Sequence, residues 1–101
     1  MSVTCTQSER WLTAVIRGEL DHHHARQVME ELDRQIELAL PKRLTLDLGE
    51  LVFTDSSGIA VLIRAFRRMG QLGGSLEVIR TPEQAQKVFR AAGLHKLMPI
   101  E

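Results

Sequence analysis

The chain has 101 residues, of which 44% are hydrophobic and 26% are charged. This length and composition predict one folded domain with a single core and exclude a disordered chain. Thirteen basic residues balance thirteen acidic ones, so no overall electric field favours nucleic acid or an anionic membrane. Since no apolar run is long enough for a membrane span or a signal peptide, we expect a cytoplasmic protein.

The first half of the chain predicts a β-hairpin followed by a helix. Strand-forming residues at 3–6 and 11–17 flank a turn at 8–10. The following helix is predicted to begin after Asp21 as its N-cap and to stop at Pro41. Its apolar positions fall at helical spacing: Ala25, Val28, Met29, Leu32 and Ile36.

The second half predicts two strand–helix units. A third strand covers the alternating leucines at 44–48, and residues 51–53 lead to the sequence Thr-Asp-Ser-Ser-Gly. The next helix is predicted to end at Gly73, before a fourth strand at 75–79. Its predicted core face consists of Ile59, Leu62, Ile63, Phe66 and Met69.

The last helix is predicted to have Thr81 as its N-cap and Gln84 as the amide of a capping box. It is predicted to end at Gly93, and residues 94–100 leave room for one short strand.

This order of elements predicts an α/β fold. We expect a mixed, mostly parallel sheet of about four to five strands with an N-terminal hairpin, and helices packed mainly on one face. In such sheets, the loops that leave the C-terminal ends of the strands gather at one edge and form binding sites. Residues 18–24 and 54–58 are the two candidate loops.

The second loop has more capping residues than one helix needs. Asp55, Ser56 and Ser57 can each cap the helix, and capping alone is one explanation of the three. The alternative is that one hydroxyl is exposed as a phosphoacceptor, since a helix N-terminus tolerates an anion. A serine nucleophile is disfavoured because the leading glycine of Gly-x-Ser-x-Gly is missing.

Three consecutive histidines, His22, His23 and His24, do not form a metal site on one helix. Successive residues point about 100° apart, so the three rings cannot face one ion. The lone Cys5 adds no thiolate pair for zinc and cannot form an internal disulfide. We therefore expect neither a metal nor a cofactor. Asp21 is more informative, because as a cap it would lie at the same sheet edge as Ser56.

The helix after the serines is predicted to carry an arginine-rich outer face with Ala60, Val61, Arg64, Arg67 and Arg68. A solvated basic face explains the arginines by itself. Val61 among them suggests the alternative of a protein–protein contact with an acidic partner rim. Nucleic acid is not expected, since the chain has few aromatic residues.

Two segments resemble a known family. "RGELDHHHA", Arg17 to Ala25, and "LVFTDSSGIAVLIRAFRRM", Leu51 to Met69, are similar to loops of STAS domains, most closely those of bacterial anti-sigma-factor antagonists of the sporulation type. The later "AGL", 92–94, also resembles a family feature. The resemblance spans nearly the whole chain and implies a single STAS domain over residues 1–101.

This resemblance implies a regulatory binding protein with no catalytic residue. Its expected partners are an anti-sigma factor that is itself a serine protein kinase, which binds the unphosphorylated form, and a serine phosphatase. The phosphorylated position of the family corresponds to Ser56, and phosphorylation releases the anti-sigma factor. The expected partner-binding residues are Asp21, His22, His23, Thr54, Asp55, Ser57, Gly58, Val61 and Arg64.

Two rival functions have other requirements. A STAS-like subunit could dock on the ATPase of a membrane transporter, with Ser56 only as a cap. A hydrolase could use Ser56 with an imidazole from 22–24.

Family members commonly continue into a further C-terminal helix, whereas this sequence stops at Glu101. We therefore expect a monomer or a weak dimer.

Overall fold

The structure, a computed structural model, describes residues 1–101 and contains one five-stranded mixed sheet. The strands are β1 (Ser2–Ser8), β2 (Trp11–Leu20), β3 (Arg43–Asp47), β4 (Leu51–Thr54) and β5 (Ser75–Ile79). β1 and β2 form an antiparallel hairpin joined by Glu9 and Arg10. β3 pairs in parallel with residues 11–15 of β2, and β4 pairs in parallel with residues 18–20. β5 lies beside β3, so the predicted mixed sheet with an N-terminal hairpin is confirmed.

Three helices connect these strands: α1 (Ala25–Ala39), α2 (Ser57–Gln71) and α3 (Glu83–Ala91). α1 ends at a left-handed Leu40 before Pro41, which cannot continue a helix. α2 is followed by Gly73 with a φ of +70°, where glycine avoids the strain of a side chain. None of the helices has both the length and the apolar composition that crossing a bilayer requires.

One apolar core lies between the sheet and the helices. α1 packs on β1 and β2, α2 packs on β5, and the two helices contact each other along their length. The core faces of the strands supply fully buried leucines, among them Leu12, Leu44 and Leu46. α3 packs beside β4 and contributes the fully buried Phe89. The expected placement of helices mainly on one face is therefore confirmed.

The other face of the sheet is polar. Trp11 donates its indole N–H to Thr45 Oγ1 (2.8 Å), and the Thr45 hydroxyl donates to Glu77 Oε1 (3.0 Å). The Arg43 guanidinium lies 4.8 Å from the Trp11 ring centroid, in a cation–π contact. These bonds join β2, β3 and β5 on a face that the helices leave uncovered.

α2 is rotated about its axis relative to the predicted orientation. Its buried residues are Gly58, Val61, Leu62, Ala65 and Met69. The prediction of Val61 on the outer face is wrong, because its side chain is only 1% exposed. Phe66, predicted in the core, is 36% exposed. The small residues 58 and 65 face the core, which lets the helix approach closely, and the bulkier residues lie on its flanks.

The predicted start of α3 is also wrong. Its N-cap is Pro82, and the Thr81 hydroxyl is buried without a hydrogen-bond partner. Gln84 reaches β4 instead: the Thr54 amide donates to Gln84 Oε1 (3.0 Å) and Gln84 Nε2 donates to the Thr54 carbonyl (2.8 Å). Because the side chain of Gln84 bonds the strand, it cannot complete a capping box.

The segment after α3 forms less strand than expected. Residues Leu94–Lys96 form a 3-10 turn. Only Ile100 then makes a parallel bridge, to Val78 of β5.

The start of α2 depends on a close contact between Gly58 and Thr54. Thr54 is fully buried, and its hydroxyl lies 2.9 Å from the Leu20 carbonyl oxygen and 3.0 Å from that of Asp55. A Cβ atom added at Gly58 would collide with Thr54 Oγ1. The glycine therefore lets α2 begin directly above the end of β4.

We predict that Gly58→Ala lowers the free energy of unfolding by about 2 kcal/mol, because the new methyl group displaces the Thr54 hydroxyl from its hydrogen bonds. The matched control is Gly70→Ala in the same helix, where an added Cβ meets no atom within 4 Å. The control should raise the free energy of unfolding by up to about 1 kcal/mol. Urea denaturation measures both; equal effects of the two substitutions would contradict the contact.

Candidate functional site

Two loops meet at the C-terminal ends of β2 and β4. The strands are parallel neighbours with Leu20 opposite Thr54, so the residues that follow each strand emerge side by side. The Asp55 amide donates to the Leu20 carbonyl at 3.4 Å and continues this pairing into the loops. The predicted meeting of the two candidate loops is thus present in the structure.

The Asp55 carboxylate joins the two loops. Its Oδ1 accepts a hydrogen bond from the Ser57 amide (2.7 Å), and its Oδ2 accepts one from the His22 amide (3.2 Å). The hydrogen bond from the Ser57 amide is the main cause that lowers the pKa of Asp55. Together with smaller contributions from the Ser57 side chain and the His22 amide, it outweighs desolvation and the charge of Asp21, which raise the pKa. Asp55 therefore stays ionised at neutral pH and holds the first turn of α2 against the loop after β2.

Ser56 has no such structural task. It is the N-cap residue of α2 by position, yet its side chain makes no capping hydrogen bond. The residue is exposed, and its hydroxyl bonds to no other group of the chain. The three capping candidates thus have different roles: Asp55 bonds the helix start, Ser57 is the first helical residue that it bonds, and the Ser56 hydroxyl remains accessible.

The backbone amides at the start of α2 already have acceptors. Besides the Ser57 amide, the Gly58 amide donates to the Asp55 carbonyl (3.1 Å) and the Ile59 amide to the Ser56 carbonyl (3.1 Å). A helix N-terminus binds an anion through free amides. Here the amides of residues 57–59 are occupied, so an anion on Ser56 would gain little from them.

The prediction of Asp21 as the N-cap of α1 is wrong, because His24 holds that position and Asp21 organises the turn before it. α1 begins at Ala25, and Asp21 Oδ1 accepts hydrogen bonds from the amides of His23 (3.0 Å) and His24 (3.2 Å). The same oxygen lies 2.8 Å from His24 Nδ1. Desolvation raises the pKa of Asp21, but the bonds from His24 outweigh it and the net pKa is lowered.

The imidazole rings of the three histidines have different environments. His22 and His23 are exposed and their rings meet edge to face, with centroids 5.9 Å apart. The His24 ring bonds Asp21, and no imidazole hydrogen-bonds to Ser56. The contact between the His22 loop and the serine loop is made by the His22 backbone amide and not by a ring.

Three predicted partner-binding residues are buried. Thr54 is 0% exposed, Val61 is 1% exposed, and Gly58 is buried against Thr54. They cannot touch a partner while the domain keeps this structure, so their placement on a contact surface is wrong. Their role is to support the loop from below.

Arg64 lies on the exposed side of α2. Its guanidinium donates to Asp33 Oδ2 of α1 through Nε (2.9 Å) and Nη2 (2.6 Å). This hydrogen bond raises the pKa of Arg64, so its side chain is charged and held toward α1.

Sequence reasoning missed two exposed apolar residues next to the site. Val52 is 74% exposed and Phe53 is 41% exposed on β4, four and three residues before Ser56 respectively. Both belong to an apolar run that reads as a buried strand, so composition gave no signal. Because successive side chains of a strand point to opposite faces, the two residues are separate exposed apolar positions and do not form one continuous patch.

Residues 2–101 match the family model of the STAS domain. The chain belongs to the STAS domain family. It is 33% identical over 85 residues to the anti-sigma F factor antagonist of Paenibacillus polymyxa, covering 84% of this chain and 73% of the relative. It is 27% identical over 100 residues to the anti-sigma-B factor antagonist of Bacillus subtilis strain 168, covering 99% and 90%.

Solved structures of anti-sigma factor antagonists share the fold of this STAS domain. The unphosphorylated form of SpoIIAA superimposes with a TM-score of 0.84 at 22% identity, covering 99% of this chain and 88% of that chain. The phosphorylated form of the Bacillus SpoIIAA gives a TM-score of 0.75 at 22% identity, covering 99% and 91%. The recognition of the family from its two loop segments is confirmed.

We predict that Asp55→Ala lowers the melting temperature near neutral pH, because the Ser57 and His22 amides lose their acceptor. The folded-state pKa of Asp55 is lower than its unfolded-state value of about 4. The contribution of the carboxylate is therefore complete above about pH 4 and is lost as the pH falls through the folded-state pKa. The difference in melting temperature between wild type and variant should shrink over that acidic range.

The matched control is Asp55→Asn, which keeps an oxygen acceptor for one amide but cannot ionise. Its melting temperature should lie between those of wild type and Asp55→Ala near neutral pH. Thermal unfolding followed by circular dichroism from about pH 7 to about pH 2.5 measures all three proteins. A gap between wild type and Asp55→Ala that is independent of pH would contradict a role for the charge.

Proposed function

We propose that this STAS domain is an anti-sigma factor antagonist whose binding is switched off by phosphorylation of Ser56. The proposal is supported by membership of the family and by the names of the relatives, which are anti-sigma factor antagonists of Paenibacillus and Bacillus species. The observation that carries it is the exposed Ser56 hydroxyl with no partner in the chain. A side chain that is dispensable for the fold is free to be modified.

The contact surface consists of the exposed and half-exposed groups around Ser56. Asp21, His22, His23, Asp55 and Ser57 surround it on the two loops, and Arg64 extends the surface along α2. The second oxygen of Asp21, Oδ2, accepts no hydrogen bond within the chain and can accept one from a basic or amide group of a partner.

The proposed partner is an anti-sigma factor that is also a serine protein kinase. In its reaction the Ser56 hydroxyl oxygen attacks the γ-phosphorus of ATP, the bond to the β-phosphate oxygen breaks, and the hydroxyl proton is lost. ADP leaves, and Ser56 becomes a phosphoserine. The antagonist itself supplies only the acceptor oxygen, so the proposal assigns it no catalytic residue. A serine phosphatase that hydrolyses the ester with water would restore the binding form.

The phosphate would act by repulsion and desolvation and not by refolding the domain. It adds a charge of about −1.5 to −2 beside the carboxylates of Asp21 and Asp55, both of which are ionised at neutral pH. The amides of residues 57–59 are occupied, so the helix start offers little compensation. A partner that covers Ser56 would have to desolvate this cluster of negative charge, which opposes binding.

We predict that a cognate kinase and ATP add one phosphate, at Ser56. Intact-mass spectrometry with peptide mapping measures the number and the position of the phosphates. Ser56→Ala should remain unmodified. Ser57→Ala is the matched control, because this neighbour is not the proposed acceptor, and it should still accept one phosphate. A phosphate mapped to Ser57, or none, contradicts the assignment.

We predict that Ser56→Asp weakens binding to the proposed anti-sigma factor by at least about tenfold, which corresponds to about 1.4 kcal/mol. The cause is added negative charge beside Asp21 and Asp55, so Ser56→Asn, which is of similar size and neutral, should bind more tightly than Ser56→Asp. Isothermal titration calorimetry gives the affinities, and circular dichroism should show the same fold for both. Equal affinities of the two variants would remove charge as the basis of the switch.

We predict that Asp21→Asn weakens partner binding by about tenfold through loss of a charged acceptor. Glu9→Gln is the matched control, since Glu9 is an exposed carboxylate in the β1–β2 turn, at the opposite end of β2 from the serine loop. Calorimetric titration of both variants measures the effect. Undiminished affinity of Asp21→Asn would remove the loop after β2 from the contact, and capture of a transporter ATPase in place of a small kinase would contradict the proposed partner.

A further inference from the structure

The free edges of the sheet differ in how the chain protects them. β5 is covered by the C-terminal segment: the Val78 amide donates to the Pro99 carbonyl (2.9 Å) and the Glu101 amide donates to the Val78 carbonyl (2.9 Å). β4 is covered at Thr54 by the amide side chain of Gln84. A sheet edge without such cover presents unpaired N–H and C=O groups that can bind another strand.

No chain segment pairs with the outer edge of β1, and the charged groups nearest to it are Glu30, Glu31 and Arg34 of α1. It pairs with β2 in a continuous register from Ser2 opposite Arg17 to Ser8 opposite Trp11, without a bulge. Alternate residues of an antiparallel edge strand direct both backbone groups outward. Beyond the β2 ladder, no backbone group of residues 2–8 hydrogen-bonds to any part of the chain.

The sequence of β1 also lacks the usual protection of an edge strand. Natural edge strands avoid pairing by means of lysine, other charges, proline or a bulge. The segment Ser-Val-Thr-Cys-Thr-Gln-Ser contains no charge and no proline, and three of its seven residues are β-branched. Most of these residues are exposed, so another strand can approach the edge.

β1 is largely self-complementary about its central residue, Cys5. An antiparallel pairing of two copies centred there places Ser2 opposite Ser8, Thr4 opposite Thr6 of the second copy and Cys5 opposite Cys5; the one dissimilar pair is Val3 opposite Gln7. Threonine pairs and threonine–serine pairs stabilise neighbouring antiparallel strands, and no like charges face each other in this register. This self-complementarity favours a second copy of the chain over an unrelated peptide.

We propose that β1 is a dimerisation edge, where two copies of this chain pair their β1 strands antiparallel about a two-fold axis at Cys5 and join their sheets into one. Such a contact is isologous, because the same seven residues form both halves and the assembly closes at two copies. The proposal does not depend on the proposed partner or on Ser56. Its test uses the purified chain alone.

The register can be tested by charges placed at positions 4 and 6, whose side chains are exposed. Thr4→Glu combined with Thr6→Glu sets glutamates opposite each other twice across the two-fold axis. Thr4→Glu combined with Thr6→Lys sets a glutamate opposite a lysine twice. Arg17 bonds Thr4 in the wild type, so Thr4→Glu changes this contact within one copy. Because both double variants carry Thr4→Glu, this change is the same in the two and does not affect their comparison.

Sedimentation equilibrium over a range of concentrations measures the dimer dissociation constant. We expect a reversible dimer for the wild type, at least about tenfold weaker association for the glutamate pair, and recovery of most of that loss for the glutamate–lysine pair. Circular dichroism must show the same fold for all three proteins. A wild type that stays monomeric at millimolar concentration overturns the proposal, as does a dimer that the two double variants weaken equally.

Cys5 gives an independent check of the same register. It is the only cysteine, so any disulfide-linked dimer must join Cys5 to Cys5. Directly opposite residues have Cβ atoms about 4.5–5.5 Å apart, and a disulfide spans about 3.5–4.5 Å, so a small approach of the two strands at Cys5 forms the bond. Burial raises the pKa of the Cys5 thiol, so mild oxidation with copper phenanthroline is done at alkaline pH. We expect a covalent dimer that forms more slowly in the glutamate pair than in the glutamate–lysine pair; equal rates overturn the register.

Discussion

The Asp55 carboxylate is the group on which the serine loop depends. One oxygen bonds the first turn of α2 and the other bonds the loop after β2, so a single side chain fixes both loops at the sheet edge. Without it, the Ser57 and His22 amides would both lack this acceptor. Asp55 thereby satisfies the helix start and leaves the serine exposed. The proposed regulatory role of Ser56 therefore depends on this carboxylate.

The loop also stands on a rigid base. Thr54 is fully buried, its hydroxyl lies against two carbonyl oxygens, and its backbone is held by Gln84 from α3. Gly58 fits over the same threonine because it has no Cβ. These contacts join β2, β4, α2 and α3 within a few residues of Ser56. A charge added to such a site has few ways to rearrange the domain, which favours direct repulsion of a partner as the mechanism.

Periodicity predicted the order of elements, because the apolar spacing of each helix and the alternation of each strand are strong local signals. It failed for the rotation of α2, since a pattern of apolar residues does not show which flank lies nearest the sheet. Small residues at 58 and 65 allow close packing and move Val61 inward, while Phe66 is partly exposed. The start of α3 was mistaken because Gln84 bonds a strand 30 residues earlier in the chain, a contact without a local signal.

The sequence predicted the candidate site about as well as it predicted the fold: the position of the site was correct, but its detailed contacts were not predictable. Two loops at parallel strand ends had to meet, and the resemblance selected Ser56 among three hydroxyl and carboxyl candidates. The sequence could not show which of the three caps the helix, because the choice depends on where the His22 amide lies relative to Asp55. Nor could it show that Val52 and Phe53 are exposed, since exposure of a short apolar strand depends on what packs over it.

The proposed dimer edge and the serine loop use different parts of β2. β1 pairs with residues 11–17 of that strand, whereas β4, which leads to Ser56, pairs with residues 18–20. Pairing through the outer edge of β1 therefore extends the sheet beyond the hairpin. It uses none of the backbone N–H and C=O groups that bond the serine loop. The Asp55 hydrogen bonds, which set the exposure of Ser56, lie within one copy. A dimer built in this way would carry two serine loops, each switched by its own phosphate.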